Sequence, residues 1–284
     1  MSIAAAGQMT NMNSVMQNLP PTTKIQTELR DGWLTIWLDS PKNKNAIDDA
    51  MCADLLAVMD AVRDDRGVRG ITLRGKNGVF CSGGDLKSFN RMQAPGVSHA
   101  EVAKMNRGIG DILISLNEMP QVVICLVEGA AIAGGLGLMC CGDVILGTED
   151  AKFSLTETML GIPPAQIAPF VVGRVGLPVA RRIMLTGARF TGVEALGYGL
   201  LDEIAVDVDS LEEIEAKVKR GVLRCGPGAI AATKHLILSS RDKSGAAMMD
   251  HAADVFAECM LSDEGKEGIS SFVEKRKPGW SQKS

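Results

Sequence analysis

Residues 121–137 read Gln-Val-Val-Ile-Cys-Leu-Val-Glu-Gly-Ala-Ala-Ile-Ala-Gly-Gly-Leu-Gly. Gln121–Val127 is apolar after its first residue and without alternation, the pattern of a strand buried on both faces and so of a parallel sheet. It runs at Glu128 into a loop over Gly129–Gly135, and Leu136–Cys141 then reads as a short helix, with Val144–Leu146 as a further core strand. Upstream, strand Gly70–Arg74 leads into a second glycine-rich loop, Phe80-Cys81-Ser82-Gly83-Gly84-Asp85-Leu86. Two loops that each follow a core strand and open a helix argue α/β with parallel-type crossovers. Farther out, Ile25–Leu29 and Trp33–Leu38 read as strands about a turn at Asp31-Gly32. Asp48 opens a helix through Met51, Leu55, Val58, Met59 and Val62 that Gly67 stops, and Ala100–Glu118 is a second helix ended by Pro120.

After about Val206 the pattern turns helical without strands. Ser210 with Glu213 has capping-box spacing, and Pro227–Ser240, Ser244–Met260 and Asp263–Lys275 continue as helices. The expected organisation is a flexible tail over 1–24, a core over 25–206 and a helical region over 207–284.

The chain has 284 residues, and 30 Lys+Arg against 34 Asp+Glu give a net charge of −4. That balance carries no basic footprint for a nucleic-acid partner. The uncharged apolar stretch Gly129–Gly142 is too short and too rich in Gly and Ala to span a membrane. Seven cysteines (52, 81, 125, 140, 141, 225, 259) form no CxxC pair, and several lie in apolar runs. Buried reduced thiols are expected, and with them a reducing compartment. The first basic residue is Lys24, so no signal or transit peptide is expected and the protein is expected in the cytoplasm. His99, His235 and His251 show no spacing suited to a metal or a nucleophile–base pair, and no metal is expected.

Unpaired amides at a helix start favour negative charge. Two such loops at one sheet edge could aim two N–H groups at one oxygen, each donor contributing roughly 2.7–4 kcal/mol to a transition state. Taken singly, these glycines could equally serve tight turns and close packing. Glu157, in Phe153-Ser154-Leu155-Thr156-Glu157, has capping-box spacing from Ser154 and could simply close a helix start. Gly135-Leu136-Gly137 matches part of a dinucleotide fingerprint, but Cys140 stands in the third glycine's place.

Taken together, the chain resembles the enoyl-CoA hydratase/isomerase (crotonase) superfamily from about Ile25 to Lys277. Pro41-Lys42-Asn43-Lys44-Asn45-Ala46, Phe80–Leu86, Gly129–Gly135 with Asp143, Phe153–Glu157 with Leu160-Gly161-Ile162-Pro163, Thr186–Phe190 and Lys266–Arg276 match the family's motifs in order. The resemblance implies a spiral of ββα units with a helical C-terminal trimerisation region, an acyl-CoA thioester substrate and a homotrimer or hexamer. It implies no metal or redox cofactor, CoA being part of the substrate. It also implies an oxyanion hole from the amides of Gly84 and Gly134, with Glu157 as catalytic carboxylate. Lys44, Ala46, Ser82, Asp85 and Leu86 would face the CoA moiety, and Phe272 and Lys275 would reach its nucleotide end.

Two departures stand out. Gly137 occupies the position of the second glutamate of two-carboxylate hydratases. The usual PGxGG after the first is replaced by Pro163-Pro164-Ala165-Gln166-Ile167-Ala168-Pro169-Phe170, a change expected to reshape the acyl pocket and to add the Gln166 amide to it. The expected activity is hydration of a conjugated enoyl-CoA through one glutamate, in a branched or glutaconyl-type subgroup. Isomerisation of an enoyl-CoA and acyl-CoA binding without turnover are the alternatives.

Overall fold

The alternation in Ile25–Arg30 (β1) and Trp33–Leu38 (β2) closes into an antiparallel hairpin, with Arg30 opposite Trp33. Asp31 and Gly32 both take positive φ (50° and 74°), as a two-residue turn matching strand twist requires. A computed structural model describes residues 19–281, so most of the tail expected over 1–24 lies outside the described residues.

From β2 the chain passes through Ser40–Ala46 into α1 (Asp49–Val62), capped by the Asp48 carboxylate on the Met51 amide. Met51, Leu55, Val58, Met59 and Val62 form its buried face as the helical spacing predicts, although the helix ends well before Gly67. There follow β3 (Gly70–Gly75), α2 (Leu86–Met92) and α3 (His99–Asn117), the last started by a Ser98–Glu101 capping box. Next come β4 (Val122–Val127), β5 (Ala130–Ile132), α4 (Gly134–Met139), β6 (Val144–Thr148) and β7 (Lys152–Ser154). The chain continues through α5 (Ala168–Leu185), β8 (Arg189–Thr191), α6 (Gly192–Gly197), β9 (Glu203–Ala205), α7 (Val208–Val222), α8 (Pro227–Ser239), α9 (Gly245–Leu261) and α10 (Asp263–Val273).

The main sheet has the order β1-β2-β3-β4-β6-β9 and is parallel apart from the β1–β2 hairpin; β5-β7-β8 form a second, small sheet. The expected α/β class is therefore observed. Leu211 of α7 packs with Trp33, Ile124, Leu126 and Leu146 against one face of the sheet, and the larger core fills the other. Burial on both faces explains the unbroken apolar run of β4.

Three local expectations are corrected. The loop expected over Gly129–Gly135 contains β5, and its helix begins at Gly134 rather than Leu136. The helix expected from Ser210 begins at Val208, because Asp207, not Ser210, caps it by accepting from the Ser210 amide. The cysteines are all free, but Cys225 is exposed and Cys52 and Cys259 are half-buried, so only four of the seven are core thiols. No helix among the described residues is long and apolar enough to cross a membrane.

The C-terminal helices are tied back to the sheet. Lys234 of α8 donates to the Gln121 carbonyl (2.7 Å) and pairs with Asp143. Glu264 accepts from the Gly228 and Ala229 amides at the start of α8. Arg69, just before β3, donates to the carbonyls of Trp280 (2.9 Å) and Cys225 (2.6 Å), and the Trp280 indole N–H donates to Arg224 (3.1 Å).

Asn45 fixes the loop between β2 and α1. Its buried side chain accepts from the Ser40 amide and donates to the carbonyls of Lys76 and Val79, with the backbone at φ 58°. Removing it leaves buried backbone groups unpaired, each costing about 1–3 kcal/mol. Asn45→Ala is expected to lower stability by about 2–3 kcal/mol, measured as a reduced urea midpoint at unchanged slope.

Candidate active site

The two glycine loops lie edge to edge because their backbones pair. Cys81 and Ala131 form a parallel bridge, with Cys81 N–H donating to Ala130 O (3.0 Å) and Ile132 N–H to Cys81 O (3.0 Å). Phe80 N–H donates to Glu128 O one step earlier. On the other side of the first loop, Ile47 N–H donates to Gly83 O (2.8 Å) and Asp85 N–H to Ile47 O (3.0 Å).

Among the described residues, these bonds give the amides of Gly84 and Gly134 no protein acceptor. A β-carbon built on Gly134 would stand 3.6 Å from the Gly84 nitrogen. The two nitrogens are therefore within about 6 Å of each other by standard backbone dimensions, a span that two N–H···O bonds to one oxygen can bridge. The first loop does not admit larger residues easily. Gly83 sits at φ 99°, and a β-carbon on Gly84 would lie 2.9 Å from the Phe89 ring.

Ala133, just before the second donor, takes φ 50° and ψ −121°, a conformation an L-residue holds at a cost of about 1–3 kcal/mol. Its N–H donates to Ser154 O (2.8 Å), its carbonyl accepts from Gly137 N–H (3.1 Å), and its methyl lies 3.0 Å from where a Gly83 side chain would begin. These contacts over-determine the turn that starts α4 and sets the direction of the Gly134 N–H. Sequence reasoning missed Ala133, because an alanine in a glycine loop carries no signal of positive φ.

Glu157 follows three residues after Ser154, whose carbonyl holds Ala133. It is 9% exposed and opens a 3-10 turn, Glu157–Leu160. The capping-box alternative fails. Among the described residues, the Ser154 hydroxyl, in β7, has no partner, Thr156 precedes the turn, and Glu157 Oε2 is buried without a hydrogen-bond partner. Burial raises its pKa above the ordinary carboxylate value, offset in part by its own backbone amide. A buried, unpartnered carboxylate with a raised pKa is the arrangement general acid–base chemistry requires.

Gly137 is more than an absent carboxylate. A β-carbon there would fall 2.1 Å from Ile167 Cγ2, so Ile167 fills the space a side chain at 137 would enter. Its neighbour Gln166 donates to Asn106 Oδ1 (2.8 Å) on α3, and Gln166 Oε1 lies where a β-carbon on Gly110 would stand. The Pro163–Phe170 segment is thereby locked onto both α3 and α4.

Five of the residues expected to face CoA are gathered beside Gly84. Ser82 N–H donates to Lys44 O and its hydroxyl to Asn43 O, Ala46 is buried next to Ile47, and Leu86 is 70% exposed. Asp85 already has a structural task, accepting from the Lys87 and Ser88 amides at the start of α2. Phe272 and Lys275 are exposed at the end of α10, and no described contact ties them to the two loops within one chain. His235 and His251 meet with Nε2 atoms 3.2 Å apart between α8 and α9, but no group of three potential metal ligands occurs among the described residues.

The sequence pattern of the enoyl-CoA hydratase/isomerase family matches residues 28–283. The enoyl-CoA hydratase EchA19 of Mycobacterium tuberculosis is 28% identical over 254 residues, 89% of this chain and 94% of that one. Among solved structures, Pseudomonas aeruginosa AtuE superposes with a TM-score of 0.88 at 46% identity, covering 92% of this chain and 100% of that one. An enoyl-CoA hydratase/isomerase from Marinobacter aquaeolei gives 0.87 at 36% identity, covering 91% and 99%.

Two outcomes follow from this geometry. Gly137→Glu is expected to overpack Ile167 and destabilise the fold by about 1–3 kcal/mol, and the Gly137→Glu/Ile167→Ala pair to recover most of that loss in a urea titration. A carboxyl with a raised folded pKa contributes stability below its unfolded value, near 4.5, and loses it as pH rises through the folded pKa. Glu157→Gln is therefore expected to melt at or above the wild-type temperature at pH 7, with that margin absent below pH 4.5.

Proposed function

The chain belongs to the enoyl-CoA hydratase/isomerase family, and from that premise we propose that it adds water across a conjugated enoyl-CoA thioester using Glu157 as its one acid–base group. The buried, unpartnered carboxylate, three residues beyond the strand that orients the second amide, is the observation that carries this reading. The thioester carbonyl accepts from the N–H groups of Gly84 and Gly134. Ionised Glu157 takes a proton from water as the water oxygen bonds to C3. The C2–C3 π electrons move toward the carbonyl, and the enolate oxygen is held by the two amides. Glu157 then returns its proton to C2, giving syn addition with atoms and charge balanced. A pKa raised toward the working pH suits a group that must both accept and donate.

With Ile167 in the place of a second carboxylate side chain, water activation and proton return fall to the same group. CoA lies along Lys44, Ala46, Ser82, Asp85 and Leu86, and Phe272 and Lys275 serve its nucleotide end from a neighbouring copy. The reaction as written needs no further cofactor. The paired amides of Gln166 and Asn106 support an acyl group with a branch or a polar substituent, as in glutaconyl-type substrates. The exposed apolar side chains of Phe256, Leu261, Ile269 and Val273 on α9 and α10 support a homotrimer or hexamer. The site of action proposed is the cytoplasm.

The single carboxylate also favours a second reading, isomerisation, in which Glu157 moves a proton between two carbons of the acyl chain. Absorbance of the conjugated thioester separates the two: hydration removes it, and isomerisation of a 3-enoyl-CoA creates it. Retention of the signal with tight acyl-CoA binding would identify a non-catalytic binder. A panel of straight, branched and carboxylated enoyl-CoAs reads the subgroup. Glu157→Gln is expected to lower kcat at least about 100-fold, and near-wild-type turnover would refute the assignment.

A further inference from the structure

A cavity of about 560 Å³ lies between the C-terminal end of α4, one face of α5 and the helix α8. It shares no residue with the thioester site. Gly134 begins α4, whereas Cys140 and Cys141, which follow its last turn, line the cavity, so the two sites stand at opposite ends of one buried helix. That helix is about 9 Å long at 1.5 Å per residue. The volume falls in the range of small-molecule sites.

The charges around this cavity do not cancel. Its lining contains three cations, Arg174, Lys234 and Arg241, against one carboxylate, Asp143. Lys234 is engaged by Asp143 and the Gln121 carbonyl, and Arg174 pairs with Asp202 at 2.6 Å. Arg241 has neither an ion pair nor a hydrogen bond from its guanidinium among the described residues. Its Nη2 lies 3.2 Å from where a β-carbon on Gly173 would stand, so the absence of a side chain there lets the guanidinium rest against α5. Beside it the walls are apolar, from Phe170, Ile230, Ile237 and Leu238.

One uncompensated guanidinium at an apolar cavity selects a ligand with one negative charge and a hydrocarbon body. A guanidinium accepts a carboxylate through two parallel hydrogen bonds. A phosphate dianion would leave a charge unmatched, and a neutral lipid would leave the cation unused. We propose that this cavity is a binding site for an aliphatic monocarboxylate, its head group on Arg241 and its chain against Phe170, Ile237 and Leu238. The site is separate from the chemistry at Glu157 and does not depend on which reaction occurs there.

The test is calorimetric titration of the full chain with decanoate. The expected result is a site of one decanoate per chain that Arg241→Gln weakens at least 10-fold, that Gly173→Leu abolishes by filling the cavity, and that excess butyryl-CoA leaves in place. Arg241 is exposed and unpaired, so Arg241→Gln is expected to keep the wild-type melting temperature and remains informative if Gly173→Leu fails to fold. Absence of decanoate binding, equal binding by Arg241→Gln, equal affinity for 1-decanol, or displacement by butyryl-CoA would each overturn the proposal.

Discussion

The site depends on the pairing of two loops through their own main chains. Cys81 and Ala131 bridge the loop that follows β3 to the one that follows β4, while Ile47 brackets the first loop from its other side. Backbone N–H groups that are buried must find partners, and here the surrounding ladder satisfies the amides of Phe80, Cys81, Ser82, Asp85, Ile132 and Ala133. Those of Gly84 and Gly134 are among the ones left without a protein acceptor among the described residues. A donor pair of this kind requires no side chain, so its alignment is set by register and not by rotamer. The parallel strands beneath, buried on both faces, hold that register.

Local stability is lost at this site in two places. Ala133 is held at positive φ by the Ser154 carbonyl and by its methyl against Gly83, and Glu157 is buried without a partner for one of its oxygens. Both features are what catalysis at a thioester would want: a donor already aimed before substrate arrives, and a carboxyl whose proton is held above the ordinary range. Strain and desolvation of this sort persist where the surrounding core over-determines them. The fully buried β3 and the long parallel ladder supply that constraint.

Much of the architecture was legible in residue patterns, for identifiable physical reasons. The apolar run of β4, the Asp31-Gly32 turn and the 3.6-residue spacing of α1 each express a local rule that the tertiary structure does not oppose. The glycine loops were compatible with an oxyanion site, but tight turns and close packing call for the same residues, and it was the order of the family's motifs that favoured the oxyanion reading. Spacing alone could not resolve Glu157, since Ser154 and Glu157 match a cap as well as a base; only the strand pairing of Ser154 with β5 and β8 separates the two. The roles of Ala133 and Ile167 were not legible at all. Positive φ and the filling of the space beside Gly137 are properties of three-dimensional neighbours, and neither residue type announces them. Likewise Asp207 displaced Ser210 as a helix cap because both are good capping residues and the earlier one could reach its amide.

The grip of Arg69 on the chain's last turns bears on how the molecule comes apart. Its guanidinium joins the edge of a central strand to carbonyls more than 150 positions later, and the indole of Trp280 fastens the same segment to the end of α7. Closing so long a loop carries an entropic cost that grows only slowly with length, so a few well-made bonds suffice to hold it shut. With Lys234 reaching the sheet from α8 as well, the helical layer and the strands share their fastenings. Neither can open without exposing the other, and they are bound into one cooperative unit although the amino-acid pattern changes character between them.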